Sequence, residues 1–175
     1  MKKKILVTGV SGSGKSTVCK ALRELGEETY SIEEDFDGMF AMYRKGTNEL
    51  FEDFENGDLE KIHASEWRCN IEKLKELMAT QKKERAFYCG VASNMNDLLP
   101  LFDQILVLKT SPQVLHGRLS NREGTEDMGG TEESRQAILG WKDWWEEDMQ
   151  DRGAVLVSAD NASQEIAREI LRVSQ

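Results

Sequence analysis

The chain contains only two prolines, three cysteines and two histidines in 175 residues, and each scarcity removes a class of protein. So few prolines exclude a proline-rich or collagen-like chain. Cys19, Cys69 and Cys89 are odd in number and widely spaced, which fits reduced thiols packed as small hydrophobes and neither a disulfide framework nor a zinc site. His63 and His116 stand far apart with no metal-ligand spacing. No run approaches the ~20 apolar residues needed to span a bilayer. The apolar stretch behind Met1-Lys2-Lys3-Lys4 ends at Thr8-Gly9, too short for the apolar region of a signal peptide, so a cytoplasmic protein is expected. Basic charge is also short: 23 Lys and Arg against 32 Asp and Glu give a net charge of −9. General adhesion to nucleic acid or to an anionic membrane is therefore not expected, and any phosphate must be held locally.

What is present reads as one folded domain. A chain of this length buries about 70% of its unfolded surface, and neither repeats nor linkers divide it, so residues 1–175 are expected to form a single unit. Ile5-Leu6-Val7 is an apolar run without alternation, as in a parallel strand buried on both faces. A glycine-rich turn follows. Val18, Ala21, Leu22 and Leu25 then mark one face of a helix that Gly26 terminates. Further strands are expected at Thr29 to Ile32, Ala86 to Cys89, Ile105 to Leu108 and Ala154 to Val157. Trp67, Ile71, Leu74, Leu77 and Met78 predict an amphipathic helix, and a short helical segment is expected around Leu98 to Phe102. Pro112 opens another helix carrying Arg118 and Arg122 on one side. Ile138, Trp141, Trp144, Trp145 and Met149 read as the packing face of a helix. A closing helix with Ile166, Ile170 and Val173 is capped by Asn161 or Ser163. Residues 38–60 give no clear pattern. Strands alternating with helices imply a three-layer α/β/α fold with a mainly parallel sheet. Residues 121–131, with three glycines and Met128 as their one apolar anchor, predict a short mobile lid.

Gly9-Val10-Ser11-Gly12-Ser13-Gly14-Lys15-Ser16 matches G-x-x-x-x-G-K-[ST] between a buried strand and an amphipathic helix. The chemistry explains the residue types. A triphosphate tail must be received by backbone N–H groups at a helix N-terminus, and glycine lets the main chain come close. Gly9, Ser11, Gly12, Ser13, Gly14, Lys15, Ser16 and Thr17 are the candidate nucleotide-binding residues. Lys15 is expected on the β- and γ-phosphates, and the Ser16 hydroxyl on the Mg²⁺ that bridges them.

In an open α/β sheet ligands sit at the carboxyl ends of strands, so the run Glu33-Glu34-Asp35-Phe36-Asp37 becomes informative. Asp35, with Asp37 second, is the expected carboxylate that orients an acceptor, takes its proton or holds magnesium through water. Arg118 and Arg122 are expected to neutralise charge on the transferring phosphoryl group from the lid. Arg44 is a candidate for an anionic acceptor. The acid that many such proteins place after the third strand is absent: Phe87-Tyr88-Cys89-Gly90-Val91-Ala92-Ser93-Asn94 has Gly90 there, where substrate or backbone can approach closely.

Taken together, residues 9–17, an acid after strand two, and Arg118-Leu119-Ser120-Asn121-Arg122 before a short lid resemble the small P-loop kinases, the group of nucleoside monophosphate, shikimate and gluconate kinases. A closer likeness, over most of the chain, is to bacterial ATP-binding kinase-like proteins that share Glu66-Trp67, Cys89-Gly90-Val91-Ala92-Ser93-Asn94-Met95 and Pro100-Leu101-Phe102-Asp103 leading into Ile105-Leu106-Val107-Leu108. The lid lacks the Asn-Pro-Tyr-Gly-Lys segment of those relatives and carries Glu123, Glu126 and Asp127. The resemblance implies a five-stranded parallel sheet in order 2-3-1-4-5, ATP and Mg²⁺ as cofactors, lid arginines, and Ser158-Ala159-Asp160 beside the adenine. The expected activity is transfer of the γ-phosphoryl group to a small-molecule acceptor, a nucleoside, nucleotide or small hydroxy compound, held near Asp35 and Gly90. The alternative is a nucleotide-dependent binding or regulatory protein with little phosphotransfer. No Asn-Lys-x-Asp segment marks a guanine reader.

Overall fold

The computed structural model describes residues 1–122, 124 and 127–175; Glu123, Thr125 and Glu126 of the expected lid lie outside them. Five parallel strands form the main sheet: β1 (Lys3–Thr8), β2 (Glu28–Ser31), β5 (Arg85–Cys89), β6 (Gln104–Lys109) and β7 (Val155–Ser158). Their spatial order is β2-β5-β1-β6-β7. Counted among the sheet strands alone, this is the expected 2-3-1-4-5. The numbering differs because an antiparallel hairpin, β3 (Phe40–Arg44) and β4 (Ser65–Cys69), is inserted after β2.

The central strands read as unbroken apolar runs because each supplies two cores. Ile5 and Val7 of β1, Phe87 and Cys89 of β5, and Leu106 and Leu108 of β6 point to one face. There they meet α1 (Lys15–Glu24) and α7 (Ser163–Val173). Leu6, Ala86, Tyr88 and Val107 point to the other face. That side is covered by α3 (Ile71–Ala79), by α4 (Met95–Leu98) with the 3₁₀ turn Leu99–Leu101, and by the end of α6 (Glu132–Asp151). Leu6 has no exposed surface; burying a side chain of this size contributes about 2 kcal/mol. The remaining helices are α2 (Leu59–His63) and α5 (Pro112–Ser120).

Local chemistry sets most helix ends. Gly26 follows α1 at φ 86, a left-handed position natural to glycine. Pro112 opens α5 behind Ser111, whose side chain accepts from the Val114 N–H. Thr131 and Ser134 form a reciprocal capping box on α6.

Three expectations are corrected, and one open segment is filled in. Trp67 lies on β4, not on a helix; the helix starts at Ile71 behind the Asn70 cap. Helical spacing misleads there because Trp67 packs sideways on Phe40, its ring 5.3 Å away. Residues 38–60, without pattern in sequence, build β3 and the segment leading to α2. The residue preceding α7 is Ala162, with no side-chain cap; Ser163 is already helical, and Asn161 lines a cavity. On α6, Ile138 and Met149 are buried, but Trp144 is exposed, and Lys142 and Glu146 form a buried pair at 2.9 Å.

All three cysteines are buried and unpaired. Burial, with Glu33 nearby, pushes the Cys69 thiol up to about 12. With a raised folded pKa the thiolate is suppressed at neutral pH. Thiol titration with an aromatic disulfide at pH 8 should therefore be at least ~100-fold slower at Cys69 in the native protein than in denaturant, read by mass spectrometry of the modified peptides. Two glycine replacements should separate packing from propensity in urea melts. A Cβ at Gly90 would stand 2.5 Å from Ile32 Cγ1, so Gly90→Ala should cost about 1–3 kcal/mol. Gly140, inside α6, has nothing within 4 Å, so Gly140→Ala should stabilise by about 0.5–1 kcal/mol.

Candidate active site

Between β1 and α1 the chain turns so tightly that side chains are excluded. Gly12 and Gly14 have φ of 86 and 98. A Cβ on Gly12 would also stand 2.7 Å from Leu119 Cδ2, and one on Gly9 would meet Ser13 Oγ at 2.4 Å. These contacts give a physical reason for the glycine spacing. The turn leaves the first N–H groups of α1 facing outward, an arrangement that receives anions. Lys15 bends back to donate from Nζ to the carbonyls of Gly9 at 2.9 Å and Val10 at 3.3 Å. Burial lowers its pKa; Glu33 opposes the shift and Arg122 adds to it.

The carboxylates come from β2, but not from the expected residue. Ser16 Oγ donates to Glu34 Oε1 at 2.5 Å, and Ser31 Oγ donates to Glu34 Oε2 at 3.1 Å. Glu33 Oε1 accepts from the Val91 N–H at 2.8 Å and Oε2 from Trp67 Nε1 at 3.3 Å. Asp35 is turned back instead: its Oδ2 accepts from Arg23 Nη2 and from the Ser31 N–H, both at 3.0 Å. The cause is a tight turn in which the Glu34 and Asp35 N–H groups both donate to the Ser31 carbonyl, rotating the third acid away from the loop. Asp37 is exposed, and its carbonyl accepts from Lys73 Nζ at 3.4 Å. Glu33 and Glu34 are the acids that reach the loop; the acidic run signals them in the sequence, but the turn that selects among its members is set by hydrogen bonds to the Ser31 carbonyl.

Gly90 resolves the missing third-strand acid. Its N–H pairs with the Val7 carbonyl, and a Cβ would also stand 3.3 Å from Glu33 Cγ. With no side chain there, the chain leaving β2 crosses over the end of β5. Glu33 thereby brings a carboxylate to the place a β5 residue would otherwise serve.

Arg118 on α5 and Arg122, two residues past the end of that helix and not on it as expected, both reach the loop. Arg118 donates to the Ser13 carbonyl at 3.1 Å and to the Ala159 carbonyl at 2.8 Å. It lines a cavity of about 330 Å³ with Gly12, Thr17, Asn121, Asn161 and Ser163. Arg122 Nη1 donates to Ser11 Oγ at 3.1 Å and to the Met128 carbonyl at 3.2 Å, and Ser11 Oγ donates to that same carbonyl at 2.9 Å. Arg44 is not brought to the loop: it pairs with Asp53 at 2.6 Å and lies 4.2 Å over the Phe51 ring.

A closed circuit of contacts links the loop, residues 127–131, the inserted hairpin and Glu33. Met128 touches the loop through Ser11. Asn56 Nδ2 donates to the Asp127 carbonyl at 2.8 Å, and Thr131 Oγ1 donates to the Asn56 carbonyl at 2.5 Å. The Phe51 N–H reaches the Met42 carbonyl of β3. Trp67, on the paired strand β4, closes the circuit at Glu33.

A family model described as an AAA domain matches residues 5–140. Solved structures share the fold over nearly the whole chain. TT1252 from Thermus thermophilus is 17% identical with a TM-score of 0.58, covering 99% of this chain and 96% of that one. Deoxyadenosine kinase from M. mycoides with bound dATP is 18% identical with a TM-score of 0.55, covering 98% of each chain. A gluconokinase from Sinorhizobium meliloti 1021 is 21% identical with a TM-score of 0.53, covering 97% and 90%. At these identities the likeness establishes the fold, that of the small P-loop kinases. A comparison with curated proteins finds no match.

Because Glu34 is bonded to the Ser16 hydroxyl at the loop's end, Glu34→Gln should raise the Mg²⁺ concentration needed for half-maximal nucleotide binding by about tenfold or more. Asp35→Asn should leave that value within about twofold. Calorimetric titrations at graded Mg²⁺ distinguish the two.

Proposed function

The chain belongs to the AAA domain family, and on that premise we propose that it is an ATP- and Mg²⁺-dependent kinase of a small hydroxyl-bearing molecule. The reading rests above all on the Ser16–Glu34 contact beside Lys15, with Glu33 fixed next to it.

ATP is taken at residues 9–17, its phosphates on the outward N–H groups of the turn and of α1. Lys15 leaves the Gly9 and Val10 carbonyls for the β- and γ-phosphates, where its charge is offset rather than desolvated. Arg118 and the cavity reaching Asn161 and Ser163 take the nucleoside end, beside the Ser158-Ala159-Asp160 loop. Among the described residues no group of three or more His, Cys, Asp or Glu side chains is placed to hold a metal by itself. Mg²⁺ suits the site nonetheless, because it binds through one or two protein oxygens together with phosphates; Ser16 Oγ and Glu34 would hold it. When bound it supplies charge neutralisation across the β- and γ-phosphates.

The acceptor lies within the circuit opposite Lys15, near Gly90. Its hydroxyl oxygen forms a bond to the γ-phosphorus in line with the bond to the β–γ bridging oxygen, which breaks; ADP leaves with that electron pair. The hydroxyl proton passes to the Glu33 carboxylate, which the Val91 N–H and Trp67 Nε1 hold in place. Asp35 supports the turn through Arg23 and acts on the acceptor only indirectly. Arg122 and Lys15 carry the charge that spreads over the transferring oxygens, and the lid segment excludes water. We place the protein in the cytoplasm, a reading supported by its three unpaired buried thiols. The net charge of −9 favours a small-molecule partner over nucleic acid or membrane, and no described helix is long and apolar enough to cross a membrane.

ADP release should depend on an added acceptor. It should fall by about 10²-fold or more in Lys15→Ala and by about 10³-fold in Arg122→Ala, measured by coupled ADP assay. Tight ATP binding with no acceptor-stimulated turnover would instead indicate a nucleotide-dependent binding or regulatory protein.

A further inference from the structure

The two sides of the contact circuit differ in charge. On the proposed nucleotide side Lys15 and Arg122 stand with Glu33 and Glu34. The outer wall of the circuit is the segment between β3 and α2. Residues 47–58 include Glu49, Glu52, Asp53, Glu55 and Asp58 and no lysine or arginine. This segment is not a free tail, since it is tied to β3 at Phe51 and to the lid at Asn56.

All but one of the cations nearest this wall are already matched to carboxylates. Arg44 pairs with Asp53 at 2.6 Å, Lys61 pairs with Glu55 at 3.3 Å, and Arg68 pairs with Glu66. Arg23, beyond Glu33 and Glu34, pairs with Asp35 at 3.0 Å. Lys45 stands exposed in the turn after β3. A phosphate or carboxylate on an acceptor is normally received by an arginine whose fork is open to it. Here the arginines of the acceptor side have given their forks to the protein's own acids, and Arg122 and Lys15 serve the triphosphate.

The hairpin's own packing is aromatic. Strand alternation puts Phe40 and Met42 of β3 and Trp67 of β4 on one face, with Phe40 and Trp67 stacked at an interplanar angle of 21°. Phe51 and Phe54 meet edge to face at 5.9 Å, and the buried Phe51 ring already holds the Arg44 guanidinium 4.2 Å from its centre, so this acidic segment accommodates a cation through cation–π contact.

We infer that the phosphoryl acceptor is an uncharged or cationic hydroxyl compound, a nucleoside, neutral sugar or amino alcohol, and not a phosphate ester or carboxylic acid. The inference rests on the kinase reading above and narrows it. The acidic wall lowers the local concentration of anions and raises that of cations, an effect that weakens with ionic strength.

Matched acceptors differing only in charge test it: a nucleoside against its 5′-monophosphate, a hexose against its hexonic acid, and a hexose against its 2-amino derivative. Phosphorylated product is measured by mass spectrometry and kcat/KM by ADP release. In each pair that is turned over, the uncharged or amine member should exceed the anion by at least about tenfold. An anion preferred in any pair overturns the inference while leaving the kinase reading intact. No transfer to any member, with ATP and Mg²⁺ still bound in calorimetry, overturns the kinase reading and this inference with it. A second measurement uses Asp53→Asn with Glu55→Gln, both side chains being mostly exposed at 64% and 71%. Freeing Arg44 and Lys61 should lower the KM of the anionic member at least threefold relative to its neutral partner; an unchanged ratio overturns the role of the wall.

Discussion

The molecule depends on main chain coming closer to other atoms than side chains permit. A Cβ at Gly12 would stand 2.7 Å from Leu119 and 2.9 Å from Leu115 on α5, so the glycine turn and the helix that carries Arg118 are packed as one body. Such packing suits the proposed nucleotide site, because a loop already fixed leaves little ordering entropy to oppose binding. Lys15 rests on the loop's own carbonyls, so its charge is partly satisfied while no phosphate is present.

The same principle operates at the other end of the site. Gly90 lets the chain leaving β2 cross β5, and the crossing delivers Glu33 to the Val91 N–H. A glycine where a metal-holding acid is often found is therefore a rearrangement of where the carboxylate originates. The distance along the chain is large, but in space the substitution is local.

The inserted hairpin carries the individuality of the site. Through Trp67 it fixes Glu33, and through the segment bearing Asn56 it is tied to the lid. The loop bearing Lys15 and the inserted segment are thereby mechanically continuous.

Much of this was legible in residues 9–17 and in the unbroken runs of β1, β5 and β6, because local sequence dictates both: glycine spacing specifies a turn, and apolar runs specify burial on two faces. The order of the sheet strands came from the resemblance those motifs carry, and the fold has it. The hairpin was not legible, since its strands lie twenty residues apart in the chain and its aromatic residues mimic helical spacing. Nor was the choice among Glu33, Glu34 and Asp35. By itself the sequence determined the glycine turn that opens α1 and the N–H groups left at the helix start, because only local backbone geometry is needed there. Which carboxylates stand beside that turn was decided by tertiary structure, because it depends on a turn at Ser31 and on ion pairs between segments that meet only when the chain is folded.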